Sequence, residues 1–188
     1  MQIIKMQDLA AVPWKNGGGI TREVAQAAGA DGFVWRLSIA DVETEGAFSR
    51  FAGMARILTV IEGDGLVLRS PQQAHELARG VPFSFRGDTD IDSVLTAGPI
   101  RDFNVIYDPR LIVADVTALH GPMDKAIDAA TGAVRAVFVI EGAIDCNGAA
   151  LEQCSCALIA GDAVTVVVND AAQALLIELK QVAPVLAD

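Results

Sequence analysis

Apolar and polar residues alternate along much of this chain with the two-residue period of half-buried β-strands. The stretch Phe33-Val34-Trp35-Arg36-Leu37-Ser38-Ile39-Ala40 shows it best: Phe33, Trp35, Leu37 and Ile39 share one face, while Arg36 and Ser38 point to the other. The apolar run 56–62 ends at Gly63-Asp64-Gly65, a hairpin signal, after which Leu66-Val67-Leu68 resumes the strand. Further strands are predicted at 81–86, 91–96, 101–107, 111–117, 133–140, 156–160, 163–168 and 173–180, most of them separated by short turns rich in Gly, Asp, Asn and Pro. Helix is expected only as short pieces at 122–130 and 73–79. Many short strands at regular spacing predict an all-β sandwich or barrel.

An internal repeat divides this pattern. Residues 56–63 (RILTVIEG) align without gaps with 135–142 (RAVFVIEG) at an offset of 79, identical at five of eight positions. A second echo follows in the same order, Phe85-Arg86-Gly87-Asp88 against Ile159-Ala160-Gly161-Asp162. The chain therefore reads as two related β-barrel halves, an N-terminal, ligand-bearing one over 1–110 and a smaller C-terminal one over 111–188, divided near Asp108-Pro109-Arg110. A strand, an acidic-Gly turn and a strand, followed later by Gly-Asp before another strand, resembles the cupin family. Cupins are small double-stranded β-helix barrels that often occur as tandem pairs. Such a barrel offers a mouth lined by inward-facing side chains where small ligands sit.

Composition narrows the partners. The formal net charge is −10, and a protein bound to nucleic acid or an anionic membrane needs the opposite. Residues 1–110 carry 11 Lys+Arg against 14 Asp+Glu, and 111–188 carry 3 against 10; nine of the ten arginines lie in the first part. Arginine is the side chain of choice for forked recognition of carboxylates, so a small anion would be bound there. With 52% hydrophobic residues, no apolar run of membrane-spanning length and no signal-peptide pattern in MQIIKMQDLA, the expectation is a soluble, cytoplasmic protein. Cys146, Cys154 and Cys156 do not make a disulfide framework and fit a reducing compartment, with Cys154 and Cys156 placed on one face of a strand.

The densest cluster of chemistry is Pro13-Trp14-Lys15-Asn16-Gly17-Gly18-Gly19-Ile20-Thr21-Arg22-Glu23. Three consecutive glycines cost backbone entropy, so something must require that conformation. Two readings stand side by side: successive N–H groups forming a concave anion site, flanked by Lys15 and Arg22, or a tight turn between strands. His75 and His120 have no partner at metal-ligand spacing, so no metal or other cofactor is expected. Nucleophile-elbow, phosphate-loop and dinucleotide patterns are absent. Catalysis, if present, would be acid–base chemistry by Asp102, Glu23 and Tyr107.

Five ordered motifs carry a closer resemblance: Trp14-Lys15-Asn16-Gly17-Gly18-Gly19 with Thr21-Arg22-Glu23; Trp35 through Ala40; Gly46-Ala47-Phe48-Ser49-Arg50-Phe51-Ala52-Gly53 with Arg56; Pro82 through Asp88; and Gly98-Pro99-Ile100-Arg101-Asp102-Phe103-Asn104-Val105. With these, spread over residues 1–180, the chain resembles the HutD/Ves family of bacterial bicupins. The resemblance implies a double cupin barrel with no established metal or catalytic cycle. Its HutD branch is associated with histidine utilisation and with binding a formylated intermediate such as N-formylglutamate; its Ves branch is linked to stress responses. Ala52 and Ala55 depart from the Pro and Asp that related chains often carry. A small dicarboxylate needs cationic and N–H donors, from Lys15, residues 17–19, Arg22, Arg36 and Arg101, and amide acceptors, from Asp102 or Asn104; Asn16, Thr21 and Ser38 complete the candidate pocket. The reading is thus a non-catalytic binder of N-formylglutamate, formate or a similar anion that regulates amino-acid catabolism, and a homodimer is compatible with it. The rivals are a metal-independent isomerase or hydrolase of formylated amino acids and a protein-interaction scaffold.

Overall fold

The computed structural model describes residues 1–30 and 32–182. Its regular elements are β-strands apart from one 3-10 turn, Met6–Asp8. The first half contains β1 (Gln2–Lys5), β2 (Ala11–Pro13), β3 (Gly19–Gly29), β4 (Gly32–Val42), β5 (Gly46–Ala47), β6 (Ala55–Glu62), β7 (Leu66–Arg69), β8 (Ala74–Leu77), β9 (Phe83–Arg86), β10 (Asp92–Leu95) and β11 (Ile100–Tyr107). The second contains β12 (Ile112–His120), β13 (Met123–Ile127), β14 (Val134–Glu141), β15 (Ala143–Cys146), β16 (Ala149–Glu152), β17 (Ser155–Ala160), β18 (Val164–Val168) and β19 (Gln173–Gln181). No helix among the described residues is long and apolar enough to cross a membrane.

The strands form four antiparallel sheets, with orders β2-β3-β4-β11-β6-β9, β5-β10-β7-β8, β12-β19-β14-β17-β1 and β13-β18-β15-β16. The repeat is visible in these orders. In the first sheet β4-β11-β6-β9 corresponds strand for strand to β12-β19-β14-β17, and β5-β10-β7-β8 corresponds to β13-β18-β15-β16. Arg56 and Arg135, which open the repeated octapeptides, occupy the second position of β6 and of β14, and both are buried.

Period-two alternation sorts the side chains of the six-stranded sheet. Trp35, Leu37 and Ile39 of β4 and Phe103 and Val105 of β11 pack against Phe138, Ile140, Leu175, Ile177 and Leu179, which glues the six- and five-stranded sheets face to face. Phe103 and Phe138 meet at the centre with ring centroids 4.9 Å apart. The opposite face of that sheet looks into the first half's own interior, where Val42, Leu58, Val60, Leu66, Leu68 and Leu77 fill one end. The interior of the second half is apolar, built from residues such as Val137, Val139, Ile144, Leu151, Val166 and Leu176.

Four expectations change. Residues 122–130 and 73–79 are not helical: β13 pairs with β18 and β8 with β7, because neighbouring strand edges offered hydrogen bonds that outweigh weak local helix preference. Residues 2–5 belong to the second half's sheet, where β1 pairs with β17, although they open the chain. Cys154 lies in the turn before β17 with φ of 61°, so it does not share a strand face with buried Cys156. The tail 183–188 of the expected second half falls outside the described residues.

Candidate functional site

The end of the first half's interior left unfilled by apolar residues is a cavity of about 700 Å³. Its floor is the polar face of the six-stranded sheet, and strand register sets the pattern. Arg36 of β4, Ile106 of β11 and Arg56 of β6 form one cross-strand row. Glu23, Ser38 and Asn104 form the next, with Leu58 beyond, and Thr21, Ala40 and Asp102 form a third, with Val60 beyond. A bulge between Glu23 and Ala25 shifts β3 so that Val24 turns into the core between the halves while Thr21 and Glu23 keep facing the cavity. Trp14, Lys15 and Asn16 stand on one side of the mouth, and Phe48, Ser49 and Phe51 on the other.

Arg56 is the centre of this floor. It is 6% exposed, and its guanidinium lies 5.0 to 5.5 Å from the ring centres of Phe85, Phe48 and Phe51. Nη2 donates to Asn104 Oδ1 at 2.7 Å and Nη1 to the Ser49 carbonyl at 3.3 Å. Burial pushes its pKa down to about 10, against the pull of Asp102 and together with the repulsion of Arg36. Arg36 lies over Phe33 and Phe51, 4.9 and 5.2 Å from their centres; burial lowers its pKa while Glu23 acts the other way. The Nε atoms of Arg36 and Arg56 are both buried without a hydrogen-bond partner in the protein. A buried donor without an acceptor costs free energy, and two charged ones beside one cavity make an environment that favours an anion.

Asp102 lies between them and the apolar end. It is 1% exposed and accepts from Asn104 Nδ2, and Asn104 in turn accepts from Arg56, so the three form a chain. Burial pushes its carboxyl up to about 7, although Arg56 and Asn104 pull it down.

The glycine run is a turn and not an anion nest. Gly17 N–H donates to the Trp14 carbonyl at 3.0 Å and Gly18 N–H to Asn16 Oδ1 at 3.1 Å, so these amides are already used. Gly17 has φ of 73°, and a Cβ on Gly19 would sit 2.3 Å from the Asp41 carbonyl and 3.1 Å from the Trp14 ring. Glycine is required because β4 and the indole close on the backbone from both sides. The turn holds Trp14 in place, its Nε1 donating to Thr21 Oγ1 at 2.7 Å. Gly19→Ala is expected to cost about 1–3 kcal/mol of stability by overpacking, read as a lower urea midpoint at unchanged slope.

Of the residues predicted from sequence, Lys15, Asn16, Thr21, Arg36, Ser38, Asp102 and Asn104 line this cavity, and so does Glu23. Gly17, Gly18 and Gly19 do not. Arg22 and Arg101 are also elsewhere: on the other face of the sheet Arg22 Nη1 meets Asp41 Oδ2 and Arg101 Nε meets Asp41 Oδ1, each at 2.6 Å, and Arg101 reaches Glu62 as well. Tyr107 packs against the core between the halves, so it cannot act on a ligand in the cavity. The sequence held a signal for these three: each is adjacent to, or an odd number of positions from, a cavity-facing residue of its own strand, and strand neighbours point to opposite faces. Sequence reasoning did not place Arg56 in the site. Its signal was the two-residue phase it shares with Leu58 and Val60 and its place at the head of the repeat.

A smaller cavity of about 230 Å³ lies beside β8 and β9, with the His75 ring tilted by 41° against Phe83, centroids 4.7 Å apart. No group of three or more His, Cys, Asp or Glu among the described residues is arranged to hold a metal ion.

Comparison with known proteins agrees with this architecture. A structure of HutD from Pseudomonas fluorescens SBW25 in a formate condition superposes with a TM-score of 0.86 at 37% identity, covering 96% of this chain and 98% of that one. A conserved protein of unknown function from Pseudomonas aeruginosa PAO1 gives 0.82 at 35% identity over 95% and 98%. An Escherichia coli pirin in complex with nickel(II), 12% identical with a TM-score of 0.69 over 96% and 99%, shares the fold alone. An uncharacterized 21.2 kDa Pseudomonas putida protein in the hutC 3′ region is 47% identical over 113 residues, which cover 58% of this chain and 60% of that relative's length. The HutD family model matches residues 6–177, and the chain belongs to the HutD family.

Proposed function

We propose that the cavity of the first half binds a small carboxylate ligand of the formylated amino acid class, N-formylglutamate being the representative, and that the protein acts by binding and not by turnover in the control of histidine utilisation. The observation that carries this reading is the pair of guanidiniums, Arg36 and Arg56, which line one cavity without a carboxylate in salt-bridge contact with either. Charge-assisted hydrogen bonds contribute about 1.5–3 kcal/mol each, so two or three of them support micromolar affinity. Ser38, Thr21 and Asn16 supply neutral hydrogen-bonding groups for a formamide. The relatives add support: one was determined in a formate condition, and another is named for its position beside hutC.

Thermal unfolding with N-formylglutamate, formate and glutamate tests this. At a hundredfold excess over the dissociation constant the ligand should stabilise the fold by about 2.7 kcal/mol, a rise in Tm of roughly 5–10 °C for a chain of this size. An unchanged Tm with every one of these acids would sink the assignment. One observation favours a second reading, metal-independent acid–base catalysis: Asp102, in the cavity, titrates near neutrality. Steady consumption of a formylated amino acid by the purified protein would decide for it.

A further inference from the structure

We infer that ligand binding in this cavity is coupled to proton uptake by Asp102: the side chain takes a proton from solvent as a carboxylate ligand enters, and the anion is held tightly only while Asp102 is neutral. This rests on the binding reading above and adds to it the protonation state of the site.

The geometry leads there in three steps. Asp102 sits mid-strand, fully enclosed, between Ala40 on β4 and Val60 on β6, neither of which can compensate a charge. Its hydrogen bond comes from a neutral donor, Asn104 Nδ2 to Oδ1, while Arg56 makes its hydrogen bond to Asn104 and acts on Asp102 by charge alone. An ionised carboxylate so placed is poorly compensated, and burial already holds its pKa near 7.

The ligand's own carboxylate is drawn to the same two cations. Asp102 and the ligand would then be two anions in one low-dielectric space, and the less well-bonded of the two protonates. That is Asp102, because its hydrogen bond comes from a neutral amide while the ligand meets the guanidiniums of Arg36 and Arg56 that line the cavity. The charged groups around Asp102 are few. Arg56 faces it from β6 and Arg36 lies along the same face of β4, while Asp41 acts through the sheet from the opposite side and raises the pKa further. Glu23 on β3 and Lys15 in the preceding turn are exposed at the mouth. The interior beyond Asp102 is apolar, formed by Val42, Val60, Leu66 and Leu68.

The sign follows from the direction of the shift. The ligand raises the Asp102 pKa above its free value, so affinity is full below the free value and declines as pH rises through it. The test is calorimetry with N-formylglutamate, whose carboxyls stay ionised throughout, at about pH 6 and about pH 8, and near neutrality in two buffers of different ionisation enthalpy. The dissociation constant should be about tenfold larger at the higher pH, and the buffer dependence should report uptake of up to one proton. Asp102→Asn should bind at both pH values with the affinity the wild type reaches at the lower one, taking up no proton. Carboxyl-carbon NMR of the wild type should show the Asp102 midpoint moving upward on ligand addition. Equal affinity at both pH values, or a wild-type pH dependence in Asp102→Asn, overturns the coupling and leaves the binding reading standing. Absence of binding at either pH overturns both.

Discussion

Arg56→Met should weaken binding of N-formylglutamate by about 100-fold or more while the protein remains folded. The side chain spends its donors in two ways. Nη2 and Nη1 hold Asn104 and the Ser49 carbonyl, and Nε has no acceptor in the protein. Methionine removes the charge and every donor but keeps a similar volume among Phe48, Phe51 and Phe85, where thioether–aromatic contact is favourable. Asp102, the carboxylate that feels its charge, can take up a proton, so no uncompensated buried charge is left behind. The remaining cost lies at Asn104 and the Ser49 carbonyl, each of which loses one donor, at about 1–3 kcal/mol apiece. Isothermal calorimetry beside urea unfolding separates the two effects. Wild-type affinity in a folded Arg56→Met protein would show that the cavity is not where the anion goes.

Arg135→Met, the same change at the equivalent position of the second half, should do the reverse. It is expected to cost about 3–5 kcal/mol and to lower Tm by roughly 10–15 °C, with the dissociation constant for N-formylglutamate unchanged below the transition. Arg135 is 2% exposed, donates from Nη1 to the Asp162 carbonyl at 2.8 Å and from Nη2 to the Asp128 carbonyl at 2.7 Å, and has Nε 3.5 Å from Glu178 Oε1. It therefore ties two loops and a carboxylate together where the interior beside it is packed with apolar side chains. Removing it strands two carbonyls and leaves Glu178 with Lys180 alone, 3.4 Å away. A Tm within two or three degrees of wild type would show that those loops are held by packing alone.

Arg56 and Arg135 differ in their surroundings. One repeat position carries the same side chain, and its neighbours decide its use. In the second half its two Nη atoms donate to loop carbonyls and Glu178 lies 3.5 Å from its Nε, which, like that of Arg56, makes no hydrogen bond. In the first half the corresponding space stays open, and Arg36 adds a second cation to it. The Arg22–Asp41–Arg101–Glu62 cluster, on the far side of the same sheet, shows what a satisfied arrangement of these residue types looks like there.

The amino-acid sequence by itself determined the β class, most strand positions, the repeat and the half of the chain where the arginines lie. It could do so because these depend on local period and composition: Trp35, Leu37 and Ile39 against Arg36 and Ser38 is readable within eight residues. Only the tertiary structure decided which charged groups are free. Asp41 neutralises Arg22 from 19 residues away and Arg101 from 60, and Arg56 meets Asn104 across 48. It also turned the glycine run from a donor site into a support for Trp14, because the Trp14 carbonyl and Asn16 consume its amides and the Asp41 carbonyl crowds Gly19. A strand's faces follow from its own alternation, but whether a charge or an N–H on that face is satisfied depends on strands that only folding brings beside it.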